Sequence, residues 1–261
     1  MPELPDVEVF GQRVRTHGLD RRIRTVDVRD ADRLRGVTTR ELEKALGGRA
    51  FTAVHRHGKV LFVQIGEGGP YLVIHFGMTG LVAFYEDPAD EPKHARLVLG
   101  FEDGGWFAFD NQRRFGWLEL TDDFDAYLRT ESIGPDALAF DVADLRGLLG
   151  RKRGMIKPAL MDQSKIAGIG NVYSDEILFQ ARVRPDRQAA ALCAREVEAV
   201  HERVRAVLRE AADHGADPER LPGDWLTPHR DTDDPCPRCG RRLENTKISG
   251  RTAWFCPHCQ H

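Results

Sequence analysis

The sequence predicts an α+β chain of two domains. An N-terminal β-sandwich with flanking helices is followed by a helical domain that ends in a four-cysteine zinc ribbon. Three observations carry this. Between about residues 22 and 120, short apolar or alternating runs are separated by Gly, Asp and Pro clusters, the pattern of many short strands. After about residue 124 the apolar spacing changes to that of helices. Four of the five cysteines stand as Cys236-x2-Cys239 and Cys256-x2-Cys259. The implied division is 1–123, 124–235 and 236–261.

Taken in order, residues 6–18 read as a short helix with Val7, Phe10 and Val14 on one face. Strands follow at 23–28, 51–54, 60–65, 71–76, 81–85, 96–101 and 106–110, the last two joined by the turn signal Asp103-Gly104-Gly105. One helix interrupts them at 39–46, closed by Gly47-Gly48. Helices are then predicted at 143–149, 156–161, 172–180 and 195–212. The last carries Val197, Val200, Val204, Val207, Leu208 and Ala211 on one stripe. Residues 213–235 are acidic, proline-bearing and loop-like.

Of 261 residues, 41% are hydrophobic and 30% charged, enough for real cores and too polar for a membrane protein. No window approaches the ~20 apolar residues of a spanning helix. The N-terminus has neither the basic nor the apolar region of a secretory signal, so a cytoplasmic location is expected. Lys and Arg number 38 against 41 Asp and Glu, a net charge of −3. That balance argues against coating nucleic acid by bulk charge and leaves room for a localised basic face.

Two Cys-x2-Cys pairs in a chain without an export signal have the spacing of a four-thiolate zinc site. Each pair sits on a tight turn, Cys-Pro-Arg-Cys-Gly and Cys-Pro-His-Cys-Gln. The competing reading, two redox motifs, lacks the strand–helix context it needs. Four thiolates complete a tetrahedral shell, so one structural Zn2+ is expected, with no open position for chemistry. His258 and His261 are then surface residues, and Cys193, inside a helical stretch, a small buried hydrophobe.

Removal of Met1 would leave Pro2 with a free secondary amine. An α-amino group has a pKa of ~8, so part of it is nucleophilic near neutrality, where a lysine at ~10.4 is not. Such an amine can attack a sugar C1′, displace the base and form a cationic iminium. Glu3 beside it is a candidate general acid/base. Alternatively, Pro2-x-x-Pro5 merely stiffens a terminus. Lys59, in the turn His57-Gly58-Lys59-Val60, reads equally as a solvated hairpin residue. In His75-Phe76-Gly77-Met78-Thr79-Gly80, Met78 is either core filler or an exposed apolar wedge. Phe115 alone reads as core, and His75 and His94 as ordinary surface histidines. The turn Gly168-Ile169-Gly170-Asn171 before a helix could present free N–H groups to a phosphate.

Three segments converge on one family: Pro2-Glu3-Leu4-Pro5-Asp6-Val7-Glu8, the stretch from Met161-Asp162-Gln163 through Gly168-Ile169-Gly170-Asn171-Val172-Tyr173 to Phe179, and Gly250-Arg251-Thr252-Ala253-Trp254-Phe255-Cys256-Pro257-His258-Cys259-Gln260. Together they resemble the formamidopyrimidine-DNA glycosylase / endonuclease VIII family of base-excision repair enzymes, over nearly the whole chain and in order. The resemblance implies a bifunctional glycosylase and abasic-site lyase working by β,δ-elimination. It implies Pro2 as nucleophile, Glu3 as acid/base and Lys59 as a phosphate contact that assists catalysis. Met78 lies in what resembles the intercalation loop. Arg113 would contact the orphaned base with Phe115 wedged beside it. His75, His94, Lys157 and Asn171 would contact phosphates. Residues 157–180 resemble the helix–two-turn–helix element, and Arg251 matches the arginine that reaches phosphates around the flipped nucleotide. The implied partner is double-stranded DNA with a damaged base or abasic site, bound by a monomer.

Local charge agrees. Residues 236–261 hold five Lys/Arg and one Glu, residues 151–157 hold four cations, and residues 213–235 carry seven acids against two arginines. Two departures bear on the substrate. Asp6 stands where the family often has glutamate, and 213–235 is shorter than the glycine- and aromatic-rich stretch of formamidopyrimidine-type members. The loops around Met78 and Phe115 resemble the branch that removes oxidised purines and formamidopyrimidines. The short segment resembles the oxidised-pyrimidine branch. A silent damaged-DNA-binding protein and a zinc-ribbon RNA or translation factor are alternatives of another class; retention of both Pro2 and Glu3 speaks against the first, and the N-terminus against the second.

Overall fold

A computed structural model describes residues 1–151, 154–231 and 234–261. Lys152 and Arg153 of the basic run, and Asp233 of the acidic one, lie outside the described residues. The chain divides into two compact units. One comprises Met1–Pro2 and Asp6–Glu131, the other Glu3–Pro5 and Ser132–His261.

The first unit is a sandwich of two four-stranded antiparallel sheets. One has the order β2 (Phe51–His57), β3 (Val60–Ile65), β4 (Tyr71–His75), β8 (Trp117–Thr121). The other runs β1 (Ile23–Val28), β6 (Ala95–Phe101), β7 (Trp106–Asn111), β5 (Gly80–Tyr85). The two-residue strand period sorts the side chains. Leu61, Val63 and Ile65 of β3 and Phe107 and Phe109 of β7 join one inter-sheet core with Val7 and Val14 of α1 (Leu4–His17). Phe62, on the opposite face of β3, meets Phe124 and Tyr127 of α3 (Phe124–Thr130) with ring centroids 4.6 and 5.3 Å apart. Helix α2 (Thr39–Leu46) starts at the capping box of Thr38 and Glu41 and buries Leu42 and Leu46. The Asp103-Gly104-Gly105 turn joins β6 to β7 as expected, with both glycines at positive φ.

The second unit packs α4 (Val142–Arg151), α5 (Ile156–Leu160), α6 (Asn171–Gln180) and α7 (Ala194–Asp213), and adds the hairpin of β9 (Glu244–Ile248) and β10 (Arg251–Phe255). All six residues of the α7 stripe are buried. Helix α6 is buried from Tyr173 to Phe179, including Ser174, Asp175 and Glu176. The described part of 213–235 packs more firmly than its composition suggests. Leu221 and Trp225 join the helical core, and Leu226 joins the cluster around Cys236 and Cys256. Cys193 departs from expectation. It is exposed at the start of α7, where its backbone N–H donates to the Glu196 carboxylate (2.8 Å), so its role is at a helix end and not in the core. Among the described residues no helix is long and apolar enough to cross a membrane.

Candidate nucleic-acid interface and zinc centre

In the first unit, the β4–β5 and β7–β8 loops lie backbone against backbone. Gly77 is at φ +59°, and a Cβ there would come within 2.3 Å of the Phe115 carbonyl carbon. A Cβ on Gly116 would come within 2.5 Å of the His75 carbonyl oxygen. The Arg113 N–H donates to Thr79 Oγ1 (2.9 Å), and buried Asn111 donates from Nδ2 to the Phe76 carbonyl (3.4 Å). Neither loop therefore has room to fold inward. The result is the exposure of two large apolar side chains, Met78 (40%) and Phe115 (54%), with the Arg113 guanidinium 5.3 Å from the Phe115 ring centre. Phe115 is not core. The neighbouring Arg114, at φ +56°, turns away to pair with Asp30 and Asp32.

Lys59 lies with Gly58 in the two-residue turn between β2 and β3, next to the His57–Val60 pair. His75, the last residue of β4, pairs in register with Trp117, and their rings stack at 3.6 Å and 12°. Burial, helped by the positive charges of Lys59 and Arg35, pushes the His75 pKa down to about 4. Its Nδ1 accepts the Gly77 N–H (3.2 Å), which puts the proton of the neutral ring on Nε2. His75 thus offers a neutral N–H donor. NMR is expected to find the neutral Nε2–H form at pH 5.5, where a histidine of pKa ~6.5 is mostly charged. A ring titrating near 6.5 would overturn this. Because the folded state resists protonation, His75's contribution to stability is complete above pH ~6.5 and falls as pH drops from there towards about 4. His94 is half-buried and fixed by its backbone. Its N–H donates to Asp110 (2.8 Å) and its carbonyl accepts the Asn111 N–H (3.0 Å).

In the second unit, the glycine turn before α6 is occupied by the chain's own terminus. The Glu3 carboxylate is buried and accepts the N–H groups of Gly170 (2.8 Å), Val172 (2.8 Å) and Tyr173 (3.1 Å). Leu4 N–H donates to the Gly168 carbonyl (3.0 Å). A Cβ on Gly170 would lie 2.3 Å from Glu3 Cδ, which explains the glycine. The expectation that these N–H groups face a phosphate is therefore corrected: they hold an internal anion at the helix N-terminus. Lys157 is corrected likewise. It is 1% exposed, faces inward from α5, and its Nζ donates to the Asn171 carbonyl (3.0 Å) and pairs with Asp175. Burial pushes its pKa down against the pull of Asp175. Lys157 braces the turn from behind and has no surface from which to grip a phosphate. Asn171 itself is half-buried at the start of α6, its Oδ1 without a hydrogen-bond partner. Arg251 is exposed beside the Ser249-Gly250 turn, whose residues are both at positive φ.

The sequence reading passed over Asp175 and Glu176. Asp175 accepts from Arg230 (2.9 Å) and from the Trp254 N–H (3.1 Å) besides pairing with Lys157. Glu176 accepts from the N–H and Oγ1 of Thr227 (2.7 Å each) and from Gln180 Nε2 (2.8 Å), while burial pushes its pKa up. The available signal was two adjacent carboxylates inside an apolar helix, which can be buried only with partners.

The ligand atoms of Cys236, Cys239, Cys256 and Cys259 all lie within 4.8 Å of one another, with Cys236–Cys259 at 4.0 Å and Cys239–Cys256 at 3.6 Å. Tetrahedral zinc at ~2.3 Å from each thiolate requires sulfurs about 3.8 Å apart. The four cysteines hold one structural zinc. His258 and His261 are exposed and outside the set.

Comparison with known proteins agrees with this geometry. Residues 1–118 match the formamidopyrimidine-DNA glycosylase N-terminal domain, 133–221 the formamidopyrimidine-DNA glycosylase H2TH domain, and 233–261 a zinc finger found in FPG and IleRS. The formamidopyrimidine-DNA glycosylases of Exiguobacterium sp. and Pelobacter propionicus are 35% and 36% identical over 286 and 270 residues, covering 100% of this chain and 99% and 100% of theirs. Among solved structures, the Lactococcus lactis Fpg bound to an abasic site containing DNA superposes with TM-score 0.89 at 28% identity, covering 99% of each chain. A MutM complex with carbocyclic 8-oxo-G containing DNA also gives 0.89, at 29% identity and with 99% of each chain covered. With both sheets, the helical element and the zinc ribbon matched in order from end to end, the chain belongs to the formamidopyrimidine-DNA glycosylase family.

Proposed function

We propose that the protein is a bifunctional DNA glycosylase and abasic-site lyase acting on oxidised purines and formamidopyrimidines. The observation that carries this reading is the three-amide cradle around Glu3, which fixes the residue directly after Pro2. The Pro2 nitrogen attacks C1′ of the damaged nucleotide, the glycosidic bond breaks, and the base leaves with a proton. The C1′–O4′ bond of the adduct then breaks with O4′ taking a proton, and the iminium so formed acidifies C2′, so β- and then δ-elimination sever the strand. Glu3 moves the protons of ring opening. Lys59, His75, His94, Asn171 and Arg251 hold phosphates. Met78 and Phe115 fill the space of the extruded nucleotide, and Arg113 meets the orphaned base. In this scheme 1–123 is the catalytic part, 124–235 the helical DNA-binding part and 236–261 the zinc ribbon. The partner is damaged or abasic double-stranded DNA, bound by a monomer in the cytoplasm.

The shortness of 213–235 favours a second reading, the same chemistry on oxidised pyrimidines. Its Leu221, Trp225 and Leu226 are buried in apolar clusters, which leaves them unavailable to cover a flipped base. Borohydride trapping on duplexes carrying 8-oxoguanine, formamidopyrimidine or an oxidised pyrimidine separates the two. Fastest trapping on the purine-derived lesions is expected. Fastest trapping on the pyrimidine lesion would select the second reading.

A further inference from the structure

We infer that Asp175 is a positioning residue that sets where Arg251 meets DNA. The inference rests on the proposed phosphate contact of Arg251. Asp175 is fully buried on α6, and its carboxylate gathers three donors from three parts of the unit: Lys157 Nζ from α5, Arg230 from the segment before the ribbon (2.9 Å), and the Trp254 N–H from β10 (3.1 Å).

The third donor is the informative one. Arg251 and Ile248 flank the two-residue hairpin turn and face each other in register, so hydrogen-bonded pairs fall at Arg251–Ile248, Ala253–Thr246 and Phe255–Glu244. Trp254 belongs to a non-hydrogen-bonded pair with Asn245, and its N–H points out of the hairpin. Asp175 takes that outward N–H. The cysteine end of the ribbon is fastened separately, near the C-terminus of α6. Arg238 donates to the Phe179 carbonyl (3.1 Å), and Gln260 donates to the Val183 carbonyl (2.8 Å). One attachment would leave a hinge; the second fixes the direction of the hairpin tip. Arg251 stands three residues from Trp254, about 10 Å along the strand, so a small tilt at Trp254 displaces its guanidinium appreciably. Through Lys157, which also donates to the Asn171 carbonyl (3.0 Å), the same carboxylate registers the hairpin against the Asn171 turn.

The test is the salt dependence of affinity for a duplex with a stable abasic analogue, using the full-length, zinc-loaded protein. Arg251→Ala is expected to lower the slope of log K against log salt by about one phosphate contact. Asp175→Asn is expected to lower it equally, and the Asp175→Asn/Arg251→Ala double variant no further. Hydrogen exchange at the Trp254 amide should quicken in Asp175→Asn with zinc content unchanged. Should Asp175→Asn fail to fold, Lys157→Met/Asp175→Asn removes one charge of each sign and takes its place. An unchanged slope in Arg251→Ala would defeat the proposed phosphate contact. A normal Arg251→Ala effect with a wild-type slope in the Asp175 variants would overturn the inference.

Discussion

Protein that retains Met1 ahead of Pro2 is expected to give no covalent adduct with abasic DNA under borohydride, while its affinity for that DNA persists. The retained residue converts the Pro2 nitrogen from a secondary amine into a tertiary amide, whose lone pair is delocalised into the carbonyl and cannot attack C1′. None of the residues proposed to hold phosphates changes, so binding and chemistry separate cleanly. In processed protein the adduct should map to residue 2. Glu3→Gln complements this variant. A glutamine oxygen can still accept from the turn, but its NH2 group faces an N–H where the carboxylate presented an acceptor, and the proposed proton-transfer group is gone. Base excision should fall about 10²–10⁴-fold. An adduct on any residue other than Pro2, or full trapping with Met1 retained, would sink the mechanism.

Removal of zinc, by chelation or by Cys236→Ser, is expected to unfold the ribbon and weaken DNA binding while the first unit keeps its stability. Structural zinc sites supply roughly 10–16 kcal/mol of apparent binding energy, which in so small a module is folding energy. Among the described residues the apolar cluster there is small, Phe179, Leu226, Cys236, Leu243 and Cys256 with Cys239, Trp254 and Cys259 against it. Four of these eight are the cysteines themselves, so the hydrogen bonds to α6 and Val183 are left to hold a ribbon without its metal. Among the described residues, those of the sandwich core all lie between Val7 and Leu120, and the ribbon supplies none of them. Metal analysis should return one zinc per chain. Hydrogen exchange after chelation should show protection lost in β9 and β10 and kept in β3 and β7. A metal-free protein with a protected hairpin would refute the assignment.

What was legible in the sequence was what local chemistry decides. Alternation and turn glycines marked seven of the eight sandwich strands, and Gly47-Gly48 marked the end of α2. Strand β8 and helix α3 escaped notice because their reasons lie elsewhere: Trp117 is defined by its partner His75, and Phe124 by the Phe62 face it covers. The exposure of Phe115 follows from the crossing of Gly77 and Gly116, which no local pattern encodes. Lys157 reads as a surface cation because its counter-charge Asp175 is 18 residues away in the chain. The same holds for the glycine turn: its local pattern fits an external anion, and the anion it holds is Glu3, from the other end of the chain.

That cradle also sets a schedule. Glu3 precedes Gly170, whose N–H it accepts, by 167 residues. At translation rates of about 5–20 residues per second, roughly 10–30 s pass between synthesis of the terminus and synthesis of the turn that receives it. Through that interval the Glu3 carboxylate awaits the turn that receives it, and a processing peptidase meets the terminus before the cradle exists. Once α6 is made, Glu3 docks on the turn while Met1 itself stays 53% exposed. The chain's own length thus places the locking of Glu3 late, while the end that carries the proposed Pro2 nucleophile stays open to processing before and after assembly.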